Sequence, residues 1–196
     1  MLFRSLAAEE DECERLGRLS DATVAALLDG GLVSLKTPAV LGGWEAEPDL
    51  QYEVIERVAR ANACAAWCLF IYADIGGTAG AFLSDDGVAE VFAGGRMPLL
   101  CGGGGLRPGR LEKVAGGYRL TGSFRYGSGI HHAGRVLLAG LVDDGTGRPT
   151  VRRVLAARSD LEVLDTWDVL GMRGTGSTDY RADGVFVPEE IGRAHV

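Results

Sequence analysis

Basic charge is scarce in this sequence. Only 20 lysines and arginines stand against 27 aspartates and glutamates, giving a formal net charge of -7 and a pI of about 5.0. A nucleic-acid partner requires a basic footprint and is not expected. Cysteine is sparse as well. Cys13, Cys64, Cys68 and Cys101 show no C-x-x-C spacing, so no disulfide framework of an exported protein is expected. No apolar leader is present: residues Met1 to Cys13 run into Glu9, Glu10, Asp11 and Glu12, unlike a signal peptide. The longest apolar run, Ala63 to Ala73, is too short to cross a bilayer. These absences predict a protein of the reducing cytoplasm with no membrane partner.

Several catalytic signatures are missing too. The glycine run from Cys101 to Gly105 is not followed by Gly-Lys-Ser/Thr and fits no G-x-G-x-x-G. Either it is a flexible connection between strands, or it lets backbone approach a planar ligand. Ser128 lacks the G-x-S-x-G context of a nucleophile, and no base is assignable to it. It reads either as a turn serine or as a hydrogen-bonding hydroxyl at a strand end. His131 and His132 are adjacent, with no further ligand at metal spacing; they read as loop or surface histidines, and no metal is expected. Arg173 either binds an anion or pairs with a surface acid.

What the sequence does have is apolar mass and glycine: 46% hydrophobic residues, and 30 glycines concentrated after Gly76. The first half carries helical periodicity. Asp21 reads as an N-cap before Val24, Leu27 and Leu28, with Gly30 and Gly31 as the stop. A second helix starts near Asp49, with Leu50, Val54, Ile55 and Val58 on one face. Ala63 to Ile75 is apolar nearly all round and should be buried among other helices. Ser84 or Asp85 caps a short helix through Phe92. After this the period changes to two. Tyr118, Leu120, Gly122, Phe124 and Tyr126 alternate with Arg119, Thr121, Ser123 and Arg125, which predicts a strand with one covered face. Further strands are expected near Leu111 and at Arg135 to Val142, Val151 to Leu155, Leu161 to Leu164 and Val185 to Val187, with Pro188 ending the last. Asp143-Asp144-Gly145 is the expected turn after Val142. The fold class is therefore α+β, with a helical domain over residues 1–94 and an antiparallel, barrel-like β-domain over 95–190.

Four segments in order carry a resemblance: Thr37-Pro38-Ala39-Val40-Leu41-Gly42-Gly43; Ala61 to Cys68; Gly117 to Gly122 running on to Ser128-Gly129; and Trp167 to Ser177 with Phe186-Val187-Pro188. Together they resemble the acyl-CoA dehydrogenase superfamily, and within it most closely the flavin-dependent monooxygenase branch. The resemblance implies a flavin cofactor, FAD or FMN, a small-molecule substrate and a separate flavin reductase as partner. It places Tyr126 and Ser128 at the flavin ring, Ser128 near the reactive nitrogen, with Phe124 and Trp167 as further contacts. It assigns no catalytic residue. The Glu-Pro and Gly-Ser-Asp loop of the dehydrogenases is replaced by Gly102 to Gly109. Acyl-CoA dehydrogenation remains the alternative, and a non-catalytic truncated subunit the second. The family's C-terminal helical bundle would follow residues 191–196, which read as the start of a linker. Its absence here implies a homo-oligomer or a partner chain supplying a bundle.

Overall fold

The computed structural model describes residues 2–102, 107–143 and 148–191. The expected glycine stretch from Gly103 to Gly105, the turn at Asp144-Gly145 and the linker at residues 192–196 lie outside the described residues. Among the described residues six α-helices come first: α1 (Leu2–Ala8), α2 (Glu10–Leu16), α3 (Asp21–Asp29), α4 (Pro48–Ala59), α5 (Ala63–Phe82) and α6 (Asp85–Phe92). Seven strands follow among the described residues: β1 (Leu100–Gly102), β2 (Gly109–Val114), β3 (Gly117–Gly127), β4 (Arg135–Val142), β5 (Thr150–Ala157), β6 (Glu162–Val163) and β7 (Thr178–Pro188). Helix thus gives way to strand between Phe92 and Leu100, where the hydrophobic period changes. A continuous buried core nevertheless runs through both parts, from Leu6 and Leu69 to Leu138 and Val187.

Local chemistry sets the helix boundaries. The N-cap of α3 is Ser20 rather than Asp21: its hydroxyl accepts the Thr23 amide at 3.1 Å, and Asp21 becomes the first helical residue. Pro48 opens α4, where a missing amide costs nothing. Asn62 caps α5 by accepting the Ala65 amide at 2.9 Å, and its own amide donates to the Leu6 carbonyl. Ser84 caps α6. The run expected at Ala63 to Ile75 is in fact a 20-residue helix, long and apolar enough by composition to cross a membrane. Half of its most apolar window is buried inside the protein, and it packs on α4, β1 and the turns at Leu32–Ser34 and Arg173–Thr175. Leu69 and Tyr72 are its fully buried anchors, each contributing roughly 1.5–3 kcal/mol by leaving water. Burial is not all round, however: Trp67 and Phe70 stand on an open face.

The strands form one mixed sheet, not an antiparallel one. β2, the strand expected near Leu111, and β3 make a hairpin closing at Val114 and Gly117. β3 pairs antiparallel with β7, β7 with β6, and β4 with β5. The remaining edge of β4 is shared by two parallel partners, β1 beside Arg135–Leu137 and β2 beside Gly140–Val142. Hairpin logic pairs neighbours in sequence, and these contacts arise only when the chain returns.

A second departure lies at the end of β3. Tyr118, Leu120 and Phe124 point into the core as alternation requires. Between Phe124 and Gly127 the register slips, with three residue steps on β3 against two on β7. The extra residue is a β-bulge. Tyr126 takes φ +63, a left-handed conformation rare for a tyrosine, and turns outward to 53% exposure. Gly127 occupies the inward place, close against the Tyr180 ring.

Candidate flavin site

The bulge sets up a ledge of aromatic side chains. Tyr126 meets the edge of Trp167 in a T-shaped pair, centroids 6.3 Å apart at 82°. Arg125 lies over the ring of the same tyrosine, its guanidinium 5.1 Å from the ring centre. Trp167 is fixed from behind: its indole N–H donates to the Met172 carbonyl at 3.2 Å. One residue beyond the turn glycine, Ser128 is buried, and its hydroxyl accepts the Trp67 indole N–H at 2.9 Å. The same oxygen lies 2.7 Å from the Ser177 hydroxyl, which lies 2.7 Å from that of Thr175, which donates to the Met172 carbonyl at 2.9 Å. Tyr126, Ser128 and Trp167 are thus brought together around one loop, residues 172–177. Phe124 is not with them. It is 4% exposed and stacked on Tyr180, centroids 5.5 Å apart, as part of the core.

On the other side of Trp67 lies an apolar groove of about 410 Å³ between α4 and α5, lined by Tyr52, Ile55, Ala63, Ala66, Trp67, Phe70 and Met172 among others. Lys36 on its lining is held by Asp74 at 2.8 Å and sits over the Phe70 ring. Trp67 and Met172 therefore separate a greasy groove from the hydroxyl chain and the aromatic ledge.

No family model matches the chain. Its relatives do. It is 35% identical over 170 residues to a pigment production hydroxylase of Rhodococcus sp. (strain ATCC 21145), covering 86% of this chain and 43% of that protein. It is 30% identical over 188 residues to the flavin-dependent monooxygenase oxygenase subunit HsaA of Rhodococcus jostii, covering 95% and 48%. Among solved structures, XiaF from Streptomyces sp. in complex with FADH2 and glycerol superposes with a TM-score of 0.89 at 32% identity, covering 96% of this chain and 48% of that one. The relatives are oxygenase components of flavin-dependent monooxygenases, and the fold is acyl-CoA dehydrogenase-like. The chain spans about half the length of the curated relatives it matches.

For a chain with such relatives, the ledge suits a flavin ring in kind: aromatic faces for a planar ring system and a fixed hydroxyl oxygen beside them. Arg173, the possible anion ligand, is engaged instead with Asp168 and the Val169 carbonyl, each at 3.3 Å. His131 and His132 lie in the turn after β3. His132 contacts Asp21 at 3.2 Å; burial, chiefly, pushes both imidazoles below their usual range, for His131 with help from the Arg18 charge. The four cysteines are free and buried. Burial, reinforced by the neighbouring Glu14 carboxylate, pushes the Cys64 thiol up to about 12, and burial alone does the same for Cys101. Such thiols pack as apolar groups and do not act as nucleophiles.

Two contributors were not foreseen from sequence. Trp67 reads as core helix, yet it is the indole that holds Ser128. Glu14, two residues past the acidic run Glu9 to Glu12, accepts hydrogen bonds from the Cys64 thiol at 2.9 Å and from the Arg173 and Gly174 amides at 3.3 and 3.2 Å. It ties α2 and α5 to the loop that carries Thr175 and Ser177. Burial pushes the Glu14 carboxyl up, but these three donors together outweigh it and hold the group below its ordinary value. In the sequence this loop was marked by the segment Trp167 to Ser177 that carries part of the resemblance.

Proposed function

We propose that the chain is the flavin-holding part of the oxygenase component of a two-component, flavin-dependent monooxygenase. The observation that carries this is Trp67, which lines the apolar groove with one face and fixes the Ser128 hydroxyl at the aromatic ledge with its N–H. A flavin ring would lie against Tyr126 and Trp167 with Ser128 beside its reactive nitrogen. A small apolar or aromatic substrate would occupy the neighbouring groove, whose wall is hydrocarbon and ring. When bound, reduced flavin supplies the electrons for oxygen activation. The protein's own groups orient the ring, keep water from it and bring the substrate alongside. The reduced flavin would come from a separate reductase, in keeping with relatives named as oxygenase components of FADH2-dependent and hydroxyphenylacetate hydroxylases. Relatives of this kind favour neither acyl-CoA dehydrogenation nor a non-catalytic role. A homo-oligomer, or a partner chain contributing helices, would shield the groove, and a cytoplasmic location suits a partner that delivers reduced flavin.

The test is to mix the chain with FMN or FAD and a flavin reductase under air, offer small phenols and indoles, and follow hydroxylated product. Tyr126→Ala and Ser128→Ala should each weaken flavin binding. Losing the hydroxyl contact should cost about 0.5–1.5 kcal/mol. Anaerobic reduction of bound flavin by an acyl-CoA, without hydroxylation, would refute the oxygenase reading.

A further inference from the structure

The hydroxyl chain behind Ser128 has only one direction. At one end the Trp67 indole N–H can only donate, and it donates to Ser128. At the other end the Met172 carbonyl can only accept, and it accepts from Thr175. Three hydroxyls stand between them, linked at 2.7 and 2.7 Å, and each has one hydrogen. Thr175 spends its hydrogen on Met172, so Ser177 must donate to Thr175, and Ser128 must donate to Ser177. All hydrogens run from Trp67 towards the carbonyl. Ser128 therefore has no hydrogen to offer anything outside the chain. One of its lone pairs is taken by Trp67, and the other is what it presents.

We infer that Ser177 and Thr175 are positioning residues that fix Ser128 as a hydrogen-bond acceptor, so that the site favours reduced over oxidised flavin. The inference rests on the reading that puts Ser128 beside the flavin's reactive nitrogen. That nitrogen, N5, carries a hydrogen in the reduced ring and only a lone pair in the oxidised ring. An acceptor-only oxygen matches the first and opposes the second. An oxygenase component that must take reduced flavin from a reductase, and later release the oxidised form, gains selectivity from this arrangement. Neither Ser177 nor Thr175 has to touch the flavin. Both are buried, and they act through the orientation of the Ser128 hydrogen.

The test is the ratio of dissociation constants for oxidised and reduced flavin, measured on the whole chain with FMN and with FAD, aerobically and anaerobically, by fluorescence and equilibrium dialysis. The unmodified chain should bind the reduced form more tightly. In Thr175→Val, Ser177 loses its acceptor and is free to turn its hydrogen to Ser128, which can then donate outward; the ratio should fall about two- to tenfold, the worth of one hydrogen bond. Thr175→Ser restores the hydroxyl and should restore the ratio. Ser177→Ala frees Ser128 directly and should lower the ratio as Thr175→Val does, which keeps the test decisive if the valine variant fails to fold. A ratio unchanged in the folded Thr175→Val or Ser177→Ala chain, while Ser128→Ala still weakens flavin binding, would overturn the directional chain and leave the flavin site standing. No binding of either flavin form, or identical binding by the Ser128→Ala chain, would overturn the flavin reading and this inference with it.

Discussion

Glu14 offers the sharpest test of how the site is held. Its carboxylate accepts from the Cys64 thiol and from the Arg173 and Gly174 amides. Glu14→Ala leaves these donors without that partner at a junction of α2, α5 and the loop. The two amide contacts are long for N–H···O bonds, which places them at the weak end, whereas a charged acceptor strengthens each. Taking the lower end for all three gives a loss of about 1–3 kcal/mol. In a chain of this size that lowers the melting temperature by about 2–4 °C for each kcal/mol. Glu14→Gln keeps a neutral acceptor and should recover part of the loss. The pH dependence follows from the lowered carboxyl pKa. The charged form is favoured in the folded protein, so the stabilisation is full above the unfolded-state value, near 4.5, and disappears as pH falls through the lower folded value. Urea unfolding of the three proteins between pH 3 and 7 measures both effects. A Glu14→Ala midpoint within about 0.5 kcal/mol of the parent, with the same acid limb, would show that the loop holds its shape without this carboxylate.

Three further outcomes are expected. Asn62→Ala removes both the cap of α5 and the amide that serves the Leu6 carbonyl, and should cost about 2 kcal/mol in urea unfolding; Asn62→Asp should recover the cap but not the donor. Gly174→Ala would put a methyl 2.8–2.9 Å from Cys13 Cβ and backbone carbon, so a loss of about 1–3 kcal/mol, seen in the melting temperature together with weaker flavin binding, is the result to look for. His131 and His132 are both held below the usual imidazole range, chiefly by burial, so the folded state favours their neutral forms. Stability is complete above about pH 6.5 and is lost as pH falls through the folded values. The His131→Gln, His132→Gln double variant should flatten the melting temperature between pH 7 and 5, and an unchanged slope would remove these residues as its source.

Periodicity was readable where a segment buries one face. The strands at Arg135–Val142 and Gly117–Gly127 follow from residue spacing because a wrong register would expose Leu120 or Leu138 to water, and the helices that open at Pro48 and Asp85 follow from their own apolar spacing. What spacing cannot carry is an exception to itself. Alternation put Tyr126 on the same face as Phe124, but one extra residue in β3 turns it outward. The bulge leaves no mark in hydrophobicity, and only the glycine at 127, small enough to lie against Tyr180, hints at it. The helix after Asn62 was readable as apolar, but the exposure of Trp67 depends on what does not pack against it. Parallel pairing of β4 with β1 and β2 depends on where the chain returns. The site's central bond, Trp67 to Ser128, joins residues 61 positions apart, beyond the reach of any local pattern.

The same separation explains why the site belongs where it is. Trp67 belongs to the helical half, Ser128 to the end of a strand, and Ser177 to a loop that α2 holds through Glu14. Each half buries its own apolar face, but the hydroxyl chain forms only when α5 lies against the end of β3 and the 172–177 loop closes over both. Tyr72 sets that distance independently, donating its hydroxyl to the Gly129 carbonyl at 2.8 Å one turn along the same helix. The Thr175 carbonyl adds two more ties, accepting from the Gly129 amide and the Cys68 thiol. Ser128 is thus placed by bonds to three segments before any ligand arrives, and the tyrosine beside it stands in an unfavourable backbone conformation that these bonds can hold. Strain of that kind, about 1–3 kcal/mol for a single left-handed residue, persists where its surroundings over-determine the backbone. A fold that commits this much packing to the aim of one hydroxyl and one aromatic ring has the pre-organisation that a cofactor site requires.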